Sequence, residues 1–297
     1  MSSQQRVLDA LLAMQRQSWE QGVAAHACRD LGRDDLVRLL AAAAVTRQAA
    51  DGRLGCVENE ANAVNGAACG EAALLAGHAE AARRQLDWLA SEAPRDRDGT
   101  LYHVLGSGGV WADTVYMVVP FLAAAGRPDL AVVQVEGHRR RLCHDNLYAA
   151  IWSADGSGRD DRWGGGNGWV VAGIARAIRW APELRDALAG HARDVLDACL
   201  EQRRPDGLFH DVLDDPGTFV ETNAAQMFAY AALTGSKDGW LPSSYADVGR
   251  DLLTAASRKV DGLGLVRDAC GAPTFDHPGT SAEAQAFHLL AVAAARP

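Results

Sequence analysis

One charged residue, Asp113, interrupts the apolar stretch VLGSGGVWADTVYMVVPFLAAAG that lies between His103 and Arg127. A carboxyl in the first turn of an apolar helix loses water, which raises its pKa and suits it to general acid work. The helix N-terminus pulls the other way by favouring the anion. The same residue would also serve as a plain cap for backbone N–H groups. Trp111 and Tyr116 flank it, and their faces would stack on a sugar ring. A second group is Trp163-Gly-Gly-Gly-Asn167-Gly-Trp169. Its glycines let backbone approach a ligand closely, and Asn167 can both donate to and accept from hydroxyls. No strand precedes this loop and no Lys-Ser or Lys-Thr follows, so it is no phosphate cradle; a tight helix entry with core tryptophans is the plainer reading. Glu221-Thr-Asn223 opens a stretch without another charge before Lys237. It complements a helix dipole or faces a cleft. Glu58, Glu60, Asn62 and Asn65 follow an early turn, and one of them could reach the same cleft. His26, His78, His138 and His191 fall within helical stretches and read as packing residues. Asp160-Asp161 lacks the third acidic residue of an aspartate-rich metal motif. The six cysteines show no CxxC spacing and read as buried free thiols. Neither a metal nor a cofactor is expected.

These groups need elements to hold them. Apolar recurrence at three and four residues predicts eleven helical stretches, the first over 4–30 and the last over 280–295, with no long alternating run to suggest a sheet. A short phrase recurs between them: Asp51-Gly-Arg-Leu54, Asp98-Gly-Thr-Leu101, Asp145-Asn-Leu147, Asp206-Gly-Leu208 and Asp261-Gly-Leu263. Repeats of about fifty residues with two helices each mean stacked hairpins. An open stack needs a polar cap at its end, whereas the stretch from Thr280 to Ala295 is as apolar as those in the middle. Closure into an (α/α)6 toroid follows, with one helix short or missed and short turn-bearing loops lining a cleft. Residues 1–297 read as a single domain.

The formal net charge of −9 excludes a nucleic-acid partner, which wants a basic stripe. No apolar run reaches the roughly 18 residues that span a bilayer. The first twenty residues are interrupted by charges and glutamines, unlike a signal peptide. A cytoplasmic location, with no membrane partner, is expected.

Val110-Trp-Ala-Asp113-Thr-Val-Tyr116-Met-Val-Val-Pro-Phe-Leu122 resembles the signature of glycoside hydrolase families 88 and 105, the unsaturated glucuronyl and rhamnogalacturonyl hydrolases. Trp163–Trp169, Glu221-Thr222 and Asp98-Gly-Thr-Leu-Tyr-His103 resemble further family segments, in family order, so that the likeness covers about residues 50 to 295. The resemblance implies an (α/α)6 barrel and an oligosaccharide substrate. It also implies an unusual reaction: hydration of the C4=C5 double bond that polysaccharide lyases leave on a terminal uronic acid. It makes Asp113 the catalytic residue and His103, Trp111, Trp163, Asn167 and Trp169 cleft-lining residues. The chain departs from the family in three places. Gly165 stands where the family has an arginine, and Ala150 near a family histidine. Asn65 or Glu60 stands where a second acid is usual. Arg159 or Arg162 could supply the missing cation. Two other functions fit the same residues: hydrolysis of another glycan by Asp113 paired with Glu58, Glu60 or Glu221, and carbohydrate binding without catalysis.

Overall fold

Residues 2–57, 60–271 and 274–296 are described in a computed structural model of the chain. Among these residues twelve α-helices form: α1 Ser3–Met14, α2 Ser18–Asp30, α3 Asp34–Thr46, α4 Gly70–Leu75, α5 Ala79–Asp87, α6 Thr114–Ala124, α7 Pro128–Leu142, α8 Gly164–Trp180, α9 Arg185–Glu201, α10 Asn223–Lys237, α11 Tyr245–Ser257 and α12 Ala282–Ala294. The twelfth helix comes from the stretch 4–30, which the periodicity reads as one helix and the structure divides. Gln15 turns extended, and Glu20 reaches back to accept from the backbone N–H groups of Arg16 and Gln17 at 2.6 and 2.8 Å. A first-turn glutamate that satisfies orphan amides in this way is a start signal for a new helix.

Even-numbered helices form an inner ring and odd-numbered ones an outer ring. The inner helices are buried around nearly their whole circumference; α10, for instance, is buried from Asn223 to Gly235. Outer helices bury only a stripe, such as Ala81, Ala82 and Gln85 of α5. Around the inner ring α2 packs on the 3-10 turn Asn65–Cys69 that leads into α4. That turn packs on α6, α6 on α8, α8 on α10, α10 on α12, and α12 on α2. The ring therefore closes, as the apolar last helix implies. Among the described residues no helix is long and apolar enough to cross a membrane.

The two ends of the ring differ. Short turns, such as 31–33, 76–78 and 125–127, lead from an inner helix to the next outer one. Long segments, such as 93–113, 143–163 and 202–222, lead back inward. The recurring Asp-Gly phrase starts four of these long returns, and the aspartate accepts from a backbone amide two residues on, as Asp51 does from Arg53 and Asp206 from Leu208. Gly52, Gly99 and Gly207 take the left-handed backbone that this turn requires, and Leu54, Leu101 and Leu208 point into the core. The last copy slips: Gly264, not Gly262, is left-handed, Leu263 is exposed, and Val266 is buried instead. Among the described residues three small antiparallel pairs form in the returns, the first joining two returns and the other two lying each within one. They are β1 Gly109–Trp111 with β4 Ile151–Ser153, β2 Cys143–His144 with β3 Leu147–Tyr148, and β5 Phe209–His210 with β6 Val220–Glu221.

Candidate active site

The long returns surround a cavity of about 320 Å³ at the N-terminal end of the inner helices. An aromatic core lies beneath it, as its floor. Tyr116, Trp169 and Phe287 meet edge to face, with centroids 5.0–5.3 Å apart, and fill the ring axis. Asp113 lies immediately above this floor, at the start of α6. Trp111 of β1 pairs with Ile151, and the amide of Ala112 donates to Ala150 at 3.1 Å, which holds the approach to Asp113 rigid. On the other side Gly173 of α8 lets α6 come close, since a Cβ there would lie 2.8 Å from the Cα of Tyr116.

The Asp113 carboxyl makes no capping hydrogen bond to its own helix, and its Oδ1 is buried without a hydrogen-bond partner. Burial raises its pKa, while the nearby His103 and the helix-start amides hold it back. His103 Nδ1 lies 3.4 Å from that Oδ1 and 2.8 Å from the Thr114 hydroxyl. Its ring stacks on Trp111 at 4.4 Å with only 2° between the planes. Burial lowers the His103 pKa, which favours the neutral ring. The pair is therefore a desolvated carboxyl beside a fixed imidazole, an arrangement that can hold and deliver a proton.

The structure brings Asn65, His103, Trp111, Asp113, Trp163 and Trp169 together on the cavity wall. It does not bring the other four expected residues there. Tyr116 points beneath the floor and bonds His26 at 3.2 Å. Asn167 clamps backbone, accepting from the Tyr148 amide at 2.8 Å and donating to the Tyr148 and Trp163 carbonyls. Glu60 accepts from Ser18 and from the Val57 amide, which ties down its own loop. Glu221 is fully buried and accepts from the amides of Asn223, Ala224 and Cys270. Each has spent its polar atoms on backbone or on a core partner. Glu58 lies outside the described residues. His26, His138 and His191 are buried, whereas His78 precedes α5 and is partly exposed. The six cysteines are free.

Gly165, at the position where an arginine is expected, has a reason of its own. The Trp163 ring folds back over the start of α8, and a Cβ at Gly165 would lie 2.8 Å from it. The glycines thus seat an aromatic wall rather than admit a ligand to the backbone. Arg159 lines the cavity instead, and Arg162 does not. Arg159 exchanges backbone hydrogen bonds with Ile151, and its Nε and one terminal nitrogen are held by Asp161 at 3.1 and 2.7 Å. It is the single Arg or Lys among the described lining residues.

Several wall residues escaped the sequence reading. Trp19 sits at the unforeseen start of α2, and Phe275 on an irregular loop where it meets Trp163 edge-on. Glu283 carried a usable signal. Like Asp113, it is a lone carboxylate at the head of an apolar helix.

A closed ring of six helical hairpins with one cleft at the inner-helix N-termini defines a six-hairpin toroid. The family model of Glycosyl Hydrolase Family 88 matches residues 75–287, and the chain belongs to that family. It is 28% identical over 178 residues to the unsaturated rhamnogalacturonyl hydrolase YesR of Bacillus subtilis (strain 168). That match takes in 53% of this chain and 52% of YesR, so the chain spans about half the length of this curated relative. A glycoside hydrolase of family 105 from C. acetobutylicum ATCC 824 superposes with a TM-score of 0.82 at 16% identity, over 98% of both chains. A possible member of the GH105 family from Salmonella enterica serovar Paratyphi A gives 0.80 at 20% identity, over 98% of this chain and 92% of that one.

Proposed function

We propose that the chain, acting as one domain over 1–297, releases a terminal unsaturated uronic acid from lyase-generated oligosaccharides by hydrating the C4=C5 bond. The observation that carries this reading is the unpartnered, desolvated Asp113 at the dry end of a cavity sized for a terminal sugar ring. Membership of Glycosyl Hydrolase Family 88 and the likeness to an unsaturated rhamnogalacturonyl hydrolase support it.

Asp113 gives its proton to C4. Positive charge develops at C5 and is shared with the ring oxygen. Asp113, now a carboxylate, takes a proton from a water that adds to C5. The resulting hemiketal opens and frees the next sugar. One carboxyl thus serves as acid and then as base. Asn65, in the cavity with one side-chain oxygen buried and unpartnered, is available to a sugar hydroxyl. Trp111 and Trp163 offer faces to the ring. Arg159 supplies the charge for the uronate carboxylate. The inner helices also direct their N-termini at the cavity, so their dipoles favour an anion there although the whole chain carries −9.

The test follows the ultraviolet absorbance of the conjugated double bond. Unsaturated rhamnogalacturonan, pectin and glycosaminoglycan disaccharides are each offered to wild type and to Asp113→Asn. Wild type is expected to bleach at least one, and the variant to lose about a hundredfold or more of that rate. Bleaching that survives in Asp113→Asn would remove Asp113 from the chemistry. Absence of bleaching with all three substrates would remove the hydration reading.

A further inference from the structure

The mechanism above leaves one carboxyl of the cavity without work. Glu283 stands in the first turn of α12, and Asp113 immediately precedes α6. These helices are three places apart in a six-membered ring, so they face each other across the axis. One turn deeper they meet, where the rings of Tyr116 and Phe287 lie 5.3 Å apart. Above that contact the cavity opens, and both residues line it. Glu283 is 2% exposed, and its Oε2 has no hydrogen-bond partner. The groups acting on it are its own backbone amide and Ser281 at its helix start, which hold its pKa back, and Glu20 from α2 and Glu221 from β6, which raise it. It acts in turn on the Cys270 thiol. The ionisable residues that share the cavity wall with it are His103, Asp113 and Arg159. Burial first, then its acidic neighbours, push Glu283 up to about 8.

From this juxtaposition we infer that Glu283 is a substrate-positioning residue, which binds as a neutral hydrogen-bond donor to the carboxylate of the bound uronate on the wall opposite Asp113. The inference rests on the proposed uronate substrate. An ionised Glu283 would repel that carboxylate in a dry site, whereas an O–H donor makes a short, charge-assisted bond to it. The chemistry favours a neutral anchor over a second cation. Protonation at C4 puts positive charge on C5, the carbon that bears the carboxylate. A neutral donor fixes the carboxylate in place without cancelling the negative charge that steadies that centre. The neutral acid also lowers the demand on Arg159, whose guanidinium is already shared with Asp161.

The experiment compares full-length wild type, Glu283→Gln and Glu283→Ala. It follows bleaching of the unsaturated disaccharide between pH 6 and 9, together with the infrared carbonyl band of a protonated carboxyl at pH 7. Glutamine keeps a donor and glycosidic turnover should survive, with kcat/KM within about threefold of wild type at pH 7. Alanine should lose about tenfold or more, mainly through KM. Wild-type kcat/KM should fall as pH rises past about 8, and that limb should vanish in Glu283→Gln. The infrared band should be present in wild type and weaker by one carboxyl in both variants. Glu283→Gln as impaired as Glu283→Ala in kcat would overturn the inference, because the carboxyl would then be transferring its proton. Two variants indistinguishable from wild type would overturn it as well. An inactive wild type whose band still weakens by one carboxyl in Glu283→Gln overturns the uronate reading alone. An active wild type whose band is unchanged in Glu283→Gln overturns the role of Glu283 alone.

Discussion

At the scale of single residues, the cavity divides its polar groups into those already satisfied and those left open. Asn167 and Glu221 have given their oxygens to backbone amides, so they shape the site from behind. Asp113 and Glu283, both on the cavity wall, have each kept an oxygen unpartnered at the cost of desolvation, which fits the roles proposed for them above. Arg159 is the remaining charged contributor. Its side chain is 48% exposed, so its field is partly screened. We expect Arg159→Ala to raise KM for an unsaturated uronyl disaccharide about ten- to a hundredfold, the range for one hydrogen bond to a charged group. Arg159→Lys should recover only part of this, because the ammonium lacks the fork that meets Asp161 and a carboxylate together. Steady-state kinetics at low and high salt would check both points; a KM that stays put in Arg159→Ala removes the residue from substrate binding. Asp113 was legible in the sequence because its isolation in an apolar helix is a local property. Glu283 has the same local property but gains meaning only from what stands opposite.

At the scale of elements, the α1–α2 break is the feature that hydrophobic periodicity missed. Residues 15–18, Gln-Arg-Gln-Ser, contain neither glycine nor proline, so nothing in them announces that two helices meet there. The chemistry that separates them is the backward reach of Glu20 to two amides. Glu20→Ala should therefore cost about 0.5–2 kcal/mol of stability, as the loss of a helix N-terminal acceptor does. Urea denaturation with an unchanged slope would measure it. An effect below a few tenths of a kcal/mol would mean that packing alone divides the helices. The recurring Asp-Gly phrase shows the converse. Its aspartate, left-handed glycine and buried leucine are fixed by local turn chemistry, so three of its copies fold alike. In the copy at Asp261 the left-handed glycine comes two residues later, at Gly264, and Val266 rather than Leu263 is buried. The Trp163–Trp169 loop is the opposite lesson. Its glycines suggest an open backbone, yet they make room for the indole of Trp163.

At the scale of the whole molecule, the ring carries a buried ionic knot at the end away from the cavity. Arg176 of α8 pairs with Glu71 of α4 and Asp30 of α2, and its neighbourhood includes His26, Tyr116 and Tyr230. Three inner helices are thereby joined through one guanidinium, which fixes their register around the axis. Removing one partner from such a knot costs far more than the pair contributes, because a buried charge is left alone. Buried titratable groups also set the pH range of stability. Burial pushes His26, His138, His191 and His288 down to about 4. The folded state therefore binds fewer protons at these sites than the unfolded chain, and they withdraw stability as pH falls from 6.5 towards 4. Burial pushes Asp211 up to about 6, Glu221 up to about 7 and Glu283 up to about 8. At these sites the folded state binds more protons, so stability declines as pH rises through the window from about 4 to 8. The two sets oppose each other below about 6.5, and above it the acids act alone. Thermal melting should show a maximum near pH 6.5 and a lower Tm at pH 8. In Glu283→Gln the decline from pH 6.5 to 8 should be shallower. A Tm that rises steadily to pH 8 would contradict this assignment of protons.

Helix content, the turn phrases, the closure of the ring and the place of Asp113 in the cleft were all readable along the chain. Each depends on residue type, on spacing of three and four, or on an unbroken apolar run, and these are properties of neighbours in sequence. What the tertiary structure alone decided was who meets whom across the axis. It took Tyr116 beneath the floor, used up Asn167, Glu60 and Glu221 on structural contacts, and chose Arg159 over Arg162. It also set Glu283, some 170 residues away in the chain, on the wall facing Asp113. Closing six hairpins into a ring makes such pairs neighbours at no cost to local pattern, so no local pattern records them.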